Sequence, residues 1–113
     1  MFGSVSFSAM TSALDALSMR QRVIAHNIAN VQTPGFQGRR VAFEDALAAA
    51  VQDGDGRVKA TVARSLEPTR EDGNNVNLDT EVVSNTDTGL RYQLATRAVE
   101  GQFTAVRTAL RTT

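Results

Sequence analysis

The chain has no cysteine and no tryptophan, and it has only one tyrosine and five phenylalanines among 113 residues. The absence of cysteine excludes disulfide bonds, thiol nucleophiles and thiolate metal sites. The length allows about one domain, and the scarcity of large aromatic side chains predicts a thin core. Thin cores are marginally stable in chains of this size. We therefore expect one domain that is weakly stable alone.

An excess of one charge and long apolar runs are also absent. Twelve basic and twelve acidic residues cancel, so no net field draws the chain to nucleic acid or to an anionic membrane. The apolar runs fall far short of the roughly 18 residues that predict a membrane span, so no membrane insertion is expected. The N-terminal stretch lacks a basic segment followed by an apolar one, so no cleavable secretory signal is expected.

Arginine is the prevalent cation, because Lys59 is the one lysine among twelve basic residues. Arg20, Arg22, Arg39 and Arg40 form a local cluster that could contact phosphate. No aromatic stacking platform or helix-turn-helix pattern accompanies the cluster, and acidic residues follow it directly. A solvated surface or a protein interface is therefore the favoured interpretation, and nucleic acid is not an expected partner.

The N-terminal stretch has the apolar spacing of a helix. Serines within residues 4–8 are N-cap candidates. Pro34 disfavours a helical conformation at Thr33, and Gly35 permits a turn, so a helix over about residues 8–31 is predicted. Its heptad seam, with intervals of four and three, consists of Met10, Leu14, Leu17, Gln21, Ile24, Ile28 and Val31.

The C-terminal third has a longer seam with the same spacing. Asn77 is predicted to cap its N-terminus, and acidic residues in the first turn with arginines in the last turn suit the helix dipole. A second apolar row, which includes Leu90 and Leu94, broadens this face, so one partner helix cannot cover it. The seam consists of Leu78, Val82, Asn85, Gly89, Tyr92, Thr96, Val99, Phe103, Val106 and Leu110.

The middle of the chain lacks this period. Glu44–Val51 is predicted to form a short helix, and Arg57–Ser65 alternates like one strand or hairpin arm. We expect a mainly α fold in which two long terminal helices pack as an antiparallel, coiled-coil-like pair beside an irregular middle segment. The expected divisions of this single domain are an N-terminal helix and turn over 1–35, a variable middle over 36–76 and a C-terminal helix over 77–113.

His26 is the only histidine, so no pair of histidine ligands exists, and the amides of Asn27 and Asn30 are poor ligands for transition metals. Asp15 lies about three helical turns before His26, and no nucleophile elbow or oxyanion loop is visible. The pattern therefore indicates no catalytic, cofactor or metal site. His26 is interpreted as a polar residue on the flank of a helix.

Three stretches resemble one known family. Ala13–Leu47 is similar to the N-terminal signature of bacterial flagellar basal-body rod proteins, and its centre, NIANVQTPGF, is similar to a block shared by axial proteins of the rod and hook. GNNVNLDTEV and LRYQLATRAVEGQFTAVRTAL resemble the C-terminal end of the proximal member of that family. The residues that match the family motif and turn are Asn27, Asn30, Thr33, Pro34, Gly35 and Phe36.

The resemblance implies a structural subunit rather than an enzyme, without a cofactor. It implies terminal helices that assemble into a tubular drive shaft around an export channel, and export to the periplasmic rod without a cleaved signal peptide. The implied partners are other copies of the chain, other rod subunits, and the membrane-ring or adapter proteins and export apparatus at the rod base. A soluble coiled-coil adaptor or export chaperone is the alternative.

The seams are expected to pack subunits together. The amides of Asn27 and Asn30 are expected to bond to backbone near the end of the helix, and the backbone of a neighbouring subunit is expected to complete this amide-rich corner. Antiparallel pairing within the chain is expected to bring Leu14 and Leu17 near Phe103 and Val106, and Ile28 near Leu78 and Val82. The residues assigned to the subunit-packing seam are Leu14, Leu17, Ile24, Ile28, Val82, Tyr92, Val99, Phe103, Val106 and Leu110.

Overall fold

The computed structural model describes residues 2–111. Its elements, in chain order, are helix α1 (Phe2–Ala29), strand β1 (Arg39–Ala42), helix α2 (Glu44–Gln52), strand β2 (Thr61–Arg64) and helix α3 (Leu78–Arg111). The principal extents are 66 × 26 × 14 Å. The fold is mainly helical and elongated, with two long terminal helices and a small sheet between them in the chain, as predicted.

Helix α1 begins at Phe2 rather than near residue 8, so the serines considered as caps lie inside the helix. The extension has a packing reason, because Phe7 continues the heptad seam by one position. Its ring lies edge-on to the ring of Phe103, with the centroids 5.8 Å apart. The predicted pairing of Leu14 with Phe103 is therefore wrong by one heptad. A seam with a seven-residue period offers equivalent apolar pairs at each seven-residue shift.

The two long helices lie side by side and run antiparallel, as predicted. Midway along the pair, Nε2 of Gln21 lies 3.9 Å from the position that a Cβ on Gly89 would occupy. Farther along, Nδ2 of Asn27 donates to Oε1 of Glu81 at 3.1 Å. This second end lies at the predicted level, because Asn27 and Glu81 are the chain neighbours of the expected pair Ile28 and Val82.

The start of α3 is capped as predicted. The backbone N–H of Thr80 donates to Oδ1 of Asn77 at 3.3 Å, and the N–H of Glu81 donates to the Asn77 carbonyl at 3.0 Å. Asp79 and Glu81 lie in the first turn and Arg111 in the last, an order of charge that suits the helix dipole. Helix α3 has 34 residues, which corresponds to about 50 Å.

Strands β1 and β2 form a two-stranded antiparallel sheet in which Arg39 lies opposite Arg64 and Ala42 opposite Thr61. Helix α2 lies in the connection between them. Strand β2 and helix α2 were predicted from their patterns. Strand β1 was not, because its four residues begin with two adjacent arginines and do not show a clear apolar–polar alternation.

The core lies between α1 and the sheet, with Ala16, Leu17, Val41 and Phe43 at its centre. Within the described span of α3, Thr88 is the one fully buried residue. Helix α1 therefore carries the buried apolar core on the side that faces the middle segment, while α3 runs along α1 and keeps most of its own side chains at least partly exposed.

The middle segment also crosses the N-terminal half of α1 at Gly56. A Cβ on Gly56 would lie 2.5 Å from the backbone N of Ala9 and closer still to the carbonyl O of Val5. The hydroxyl of Ser12 donates to the Gly56 carbonyl at 2.9 Å and accepts from the N–H of Val58 at 3.2 Å. Only glycine fits this close backbone approach, so the crossing fixes the middle segment on α1.

Candidate assembly surface

Asn27 is 1% exposed and joins three elements. Its Nδ2 donates to the Arg39 carbonyl at 2.8 Å and to Oε1 of Glu81 at 3.1 Å. Its Oδ1 accepts from the N–H of Arg39 at 3.1 Å. The side-chain amide therefore pairs with both backbone groups of Arg39, as a residue of a neighbouring antiparallel strand would. This contact closes the outer edge of β1 against α1.

Asn74 is fully buried and caps the end of α1. Its Nδ2 donates to the carbonyls of Asn30 and Thr33, both at 2.8 Å, and its Oδ1 accepts from the N–H of Val76 at 2.7 Å. The last carbonyls of a helix have no intrahelical partner. Asn74 supplies that partner from the loop before α3, so the end of α1 is tied to the start of α3.

Further polar contacts join the same two stretches. Oδ1 of Asn75 accepts from the N–H of Gly38 at 2.6 Å. The guanidinium of Arg70 donates to the carbonyls of Val31 and Val76, both at 2.6 Å. We call these two stretches, residues 27–38 and 70–76, the asparagine junction. Since its buried polar groups satisfy one another, it holds both long helices at one end of the molecule.

Glycines allow the two stretches of the junction to meet. Gly35 and Gly73 have φ values of 76° and 84°, in the left-handed region that glycine adopts readily. A Cβ on Gly73 would lie 3.2 Å from the Cα of Gly35, and the N–H of Gly35 donates to the Asp72 carbonyl at 2.8 Å. The turn after Pro34 therefore packs directly on the loop before α3.

Asn27 and Asn30 bond to backbone near the end of α1, as predicted, but the expectation that a neighbouring subunit completes this corner is wrong. Nδ2 of Asn30 donates to the His26 carbonyl at 2.9 Å, and its Oδ1 accepts from the hydroxyl of Thr33 at 3.1 Å. Asn74 supplies the donors that complete the corner from within the same chain. It and Asn75 follow Gly73 in a stretch that is interpreted from the sequence only through its resemblance to the family, so their buried role was not predicted.

Arg20 holds α1 to the start of α2. Its guanidinium donates to both carboxylate oxygens of Glu44, at 2.7 and 2.8 Å, and to the Val41 carbonyl at 2.8 Å. The guanidinium carbon also lies 4.9 Å from the centre of the Phe43 ring, a cation–π distance. The hydrogen bonds from Arg20 lower the pKa of Glu44 to about 2.

Glu81 lies on the wall of a cleft of about 530 Å³ between α1, β1 and α3. Burial raises the pKa of Glu81, the hydrogen bond from Asn27 lowers it, and the nearby charge of Glu67 raises it. Arg39 and Arg40 also line this cleft. The cleft therefore has cationic and anionic walls close to the asparagine junction.

Helix α3 exposes its second apolar row, as predicted. Leu90 is 63% exposed and Leu94 is 70% exposed, although both are large apolar side chains in the middle of a long helix. Contiguous exposed apolar surface marks interaction sites on soluble proteins. We call this surface the outer row, and it consists of Leu90, Leu94, Ala98, Ala105 and Ala109.

The residues assigned to the subunit-packing seam fall into two groups. Leu17 is 3% exposed and Ile24 is 4% exposed, so contacts within the chain already bury them. Leu14, Ile28 and Val99 are half-buried. The seam members that the chain itself leaves exposed, and that a second subunit could cover, are Val82, Tyr92, Phe103, Val106 and Leu110.

The single histidine lies at the surface of α1, beside a phenylalanine ring. His26 is exposed, and its ring lies edge-on to that of Phe36 with the centroids 5.4 Å apart. Across residues 2–111, no three or more His, Cys, Asp or Glu side chains are grouped so that they could hold a metal ion. In the same span, no helix combines the length and the apolar character that crossing a membrane requires.

Comparison with known proteins gives a match to a family model and matches to individual relatives. The family model described as "Flagella basal body rod protein" matches residues 8–37, which span most of α1 and the turn at Gly35. The chain is 32% identical over 120 residues to flagellar basal body rod protein FlgB of Escherichia coli (strain K12), with 87% of each chain covered.

Two further relatives carry the same name. The chain is 31% identical over 121 residues to FlgB of Borrelia hermsii, which covers 87% of this chain and 90% of the relative. It is 27% identical over 119 residues to FlgB of Bacillus subtilis (strain 168), with 89% of each chain covered. An elongated helical subunit with exposed apolar helix faces is thus similar to structural proteins of the flagellar basal body. The chain belongs to the FlgB family of flagellar basal body rod proteins.

Proposed function

We propose that the chain is a subunit of the proximal rod, which assembles through its terminal helices into the tubular drive shaft that transmits torque and encloses the export channel. The outer row carries this proposal. Leu90 and Leu94 keep most of their surface in water in the single chain. Burial of such side chains stabilises a contact by about 1.5–3 kcal/mol each, which neighbouring subunits would supply.

The exposed seam members extend this surface along α3. Phe103 is in contact with Phe7 and is still more than half exposed, so one helix of the same chain does not cover it. A surface that binds a different surface on the next copy generates rings or helical filaments. Side-by-side packing of elongated subunits through α3 is such a contact.

The proposed partners are other copies of the chain and other rod subunits, together with the membrane-ring or adapter proteins and the export apparatus at the rod base. Membership of a basal body rod family supports assembly with basal-body components in general. The proposed location is the periplasmic rod, which the chain reaches through the flagellar export apparatus without cleavage of a signal peptide.

Replacement of Leu94 by Asp tests the proposal in cells that carry the variant as their only copy. An unpaired carboxylate in an apolar interface is strongly unfavourable, whereas at an exposed position the single chain tolerates it. We expect cells that make the variant, build no rod and do not swim. Gln93→Asp, at the adjacent exposed position, is the matched control and should leave swimming intact. Normal rods with Leu94→Asp would contradict the proposal.

A further inference from the structure

Three arginines lie at one end of the two-stranded sheet, and we call them the arginine end (Arg39, Arg40 and Arg64). Arg39 and Arg64 are cross-strand partners on one face, and Arg40 lies on the opposite face. All three are exposed. Their side-chain partners are neutral, because the Arg64 guanidinium donates to Oε1 of Gln37 at 3.0 and 3.3 Å and Nε of Arg40 donates to the Arg64 carbonyl at 3.4 Å. Arg39 and Arg40 share a cleft with Glu67 and Glu81, but the close ion pairs in the described part of the chain involve other residues, so none of the three arginines is held by a carboxylate within the chain.

The arrangement is unfavourable in the single chain. Arg39 lies directly opposite Arg64 in the register of the sheet, and like charges in directly opposite positions destabilise an antiparallel pair. The register cannot shift to separate them, since Asn27 binds both backbone groups of Arg39 and Val41 is buried in the core. A one-residue slip would turn Val41 out to solvent. An anionic partner would relieve this repulsion.

The chain carries an acidic surface at the same end of the molecule, and we call it the acidic loop (Glu71, Asp72 and Asp79). All three residues are exposed, and the one ion pair that they make among residues 2–111 joins Asp72 to Arg70 at 3.8 Å. The asparagine junction places this loop beside the sheet, because Asn75 binds Gly38. The two charged surfaces therefore lie at the same level along the molecule without neutralising each other.

We propose that the arginine end of one copy binds the acidic loop of a second copy that lies beside it. A second copy is the proposed partner because of charge complementarity. The chain carries both charged surfaces at one level, so the arginine end of one copy can face the acidic loop of a copy that lies beside it. Complementary charges of this kind set the register and partner choice of an interface. The proposal rests on the proposed function as a rod subunit and adds the contact that aligns neighbouring copies.

Cysteine crosslinking between purified chains tests this contact, because the chain has no cysteine of its own. One chain carries Val62→Cys, on the same face of β2 as Arg64, and the other carries Thr69→Cys, close to the acidic loop. Equal amounts are mixed and oxidised mildly. We expect the mixed disulfide dimer to form in preference to either homodimer, and to form more slowly as salt is added.

Charge reversal makes the test specific. Arg39→Glu with Arg64→Glu in the first chain should slow the mixed crosslink by about tenfold or more. Glu71→Arg with Asp79→Arg in the second chain, two exposed positions, should restore it. Arg97→Glu, an exposed reversal on α3, is the matched control and should leave the rate unchanged. The helical circular dichroism signal of every variant should equal that of the parent chain.

Absence of the mixed dimer, equal formation of homodimers, or a rate insensitive to the reversals would overturn the proposed contact. The same double reversal in cells separates this contact from the function itself. Swimming cells with intact rods and the Arg39→Glu, Arg64→Glu chain would refute the contact and leave the rod function standing. The rod function is tested independently by Leu94→Asp.

Discussion

At the scale of single residues, asparagine chemistry holds the ends of the two long helices together. Asn27 and Asn74 are almost completely buried, and each makes three or more hydrogen bonds within the chain. A buried amide with all partners present stabilises a specific geometry, whereas loss of one partner leaves the others desolvated and unpaired. The side-chain amides of Asn27 and Asn74 thus connect the elements of one subunit to each other.

Asn27→Ala is expected to lower the free energy of unfolding by about 2–4 kcal/mol. The change leaves the N–H and carbonyl of Arg39 and the carboxyl of Glu81 without this partner. Urea unfolding followed by circular dichroism measures the difference. Asn85→Ala, at an exposed position of α3, should change the same free energy by no more than about 0.5 kcal/mol. Equal losses in the two variants would refute the role given to Asn27.

His26→Ala is expected to leave swimming speed normal or modestly reduced. The side chain is exposed and its ring contact is the edge of Phe36, so the change removes a small packing contact and no reaction chemistry. Tracking of swimming cells measures the effect. Complete loss of motility in a variant with unchanged stability would require a polar function at this position.

The two shifted carboxyl groups are expected to have opposite effects on stability as pH changes. The folded pKa of Glu81 is raised above its ordinary value of 4.5, so its contribution to stability is complete below about 4.5 and is lost as pH rises through the folded pKa. The folded pKa of Glu44 is lowered to about 2, so its contribution is present above about 4.5 and is lost as pH falls toward 2.

Glutamine substitutions separate these two contributions. Glu81→Gln keeps an oxygen that accepts from Asn27 and removes a partly buried charge, so it should raise the free energy of unfolding at pH 7, with a smaller difference at pH 4. Glu44→Gln should lower that free energy at pH 7 by about 1 kcal/mol, a value that allows for solvent screening at a side chain 42% exposed. The loss should shrink toward pH 2. Parallel pH profiles for the two variants would contradict these assignments.

At the scale of helices and strands, the local sequence pattern predicted the helices themselves but not all of the contacts between residues that are distant in the chain. The heptad spacing and the cap at Asn77 predicted both long helices, because these depend on residues within a few turns. The pairing at the Phe103 end was wrong by one heptad, since the same apolar pattern recurs every seven residues, whereas the level of Ile28 and Val82 was predicted correctly. The motif pointed to Asn27, but not to Asn74. The carbonyls that accept from Asn74 lie more than forty residues earlier in the chain and become its neighbours only after folding.

Gly56→Ala is expected to lower the free energy of unfolding by about 1–3 kcal/mol. The new methyl group would overlap the backbone of α1 near Ala9, so the middle segment would have to move off the helix. Gly101→Ala is the matched control, because nothing lies within 4 Å of its Cβ position in α3. It should raise the free energy of unfolding by up to about 1 kcal/mol through helix propensity. Similar destabilisation by both changes would contradict the close crossing at Gly56.

At the scale of the whole molecule, the subunit is well packed around α1 and leaves apolar side chains of α3 exposed. Helix α1 packs against the sheet and α2 through the core around Leu17 and Phe43. Helix α3 is fixed at the asparagine junction and by its contacts along α1, and it leaves the outer row in water. An elongated subunit of this kind is stable enough to keep its shape and still has apolar surface for neighbours to bury.

The central claim is that the outer row becomes buried between subunits in the rod. Leu94→Cys tests it directly, since cysteine is a small apolar replacement and the chain has no other thiol. The measurement is the rate at which this thiol reacts with a maleimide, in the purified chain and in isolated basal bodies. We expect rapid reaction in the purified chain, strong protection in the basal bodies, and recovery of the reaction after they are dissociated in urea. Equal reaction rates in the purified chain and the intact basal bodies would contradict the claim.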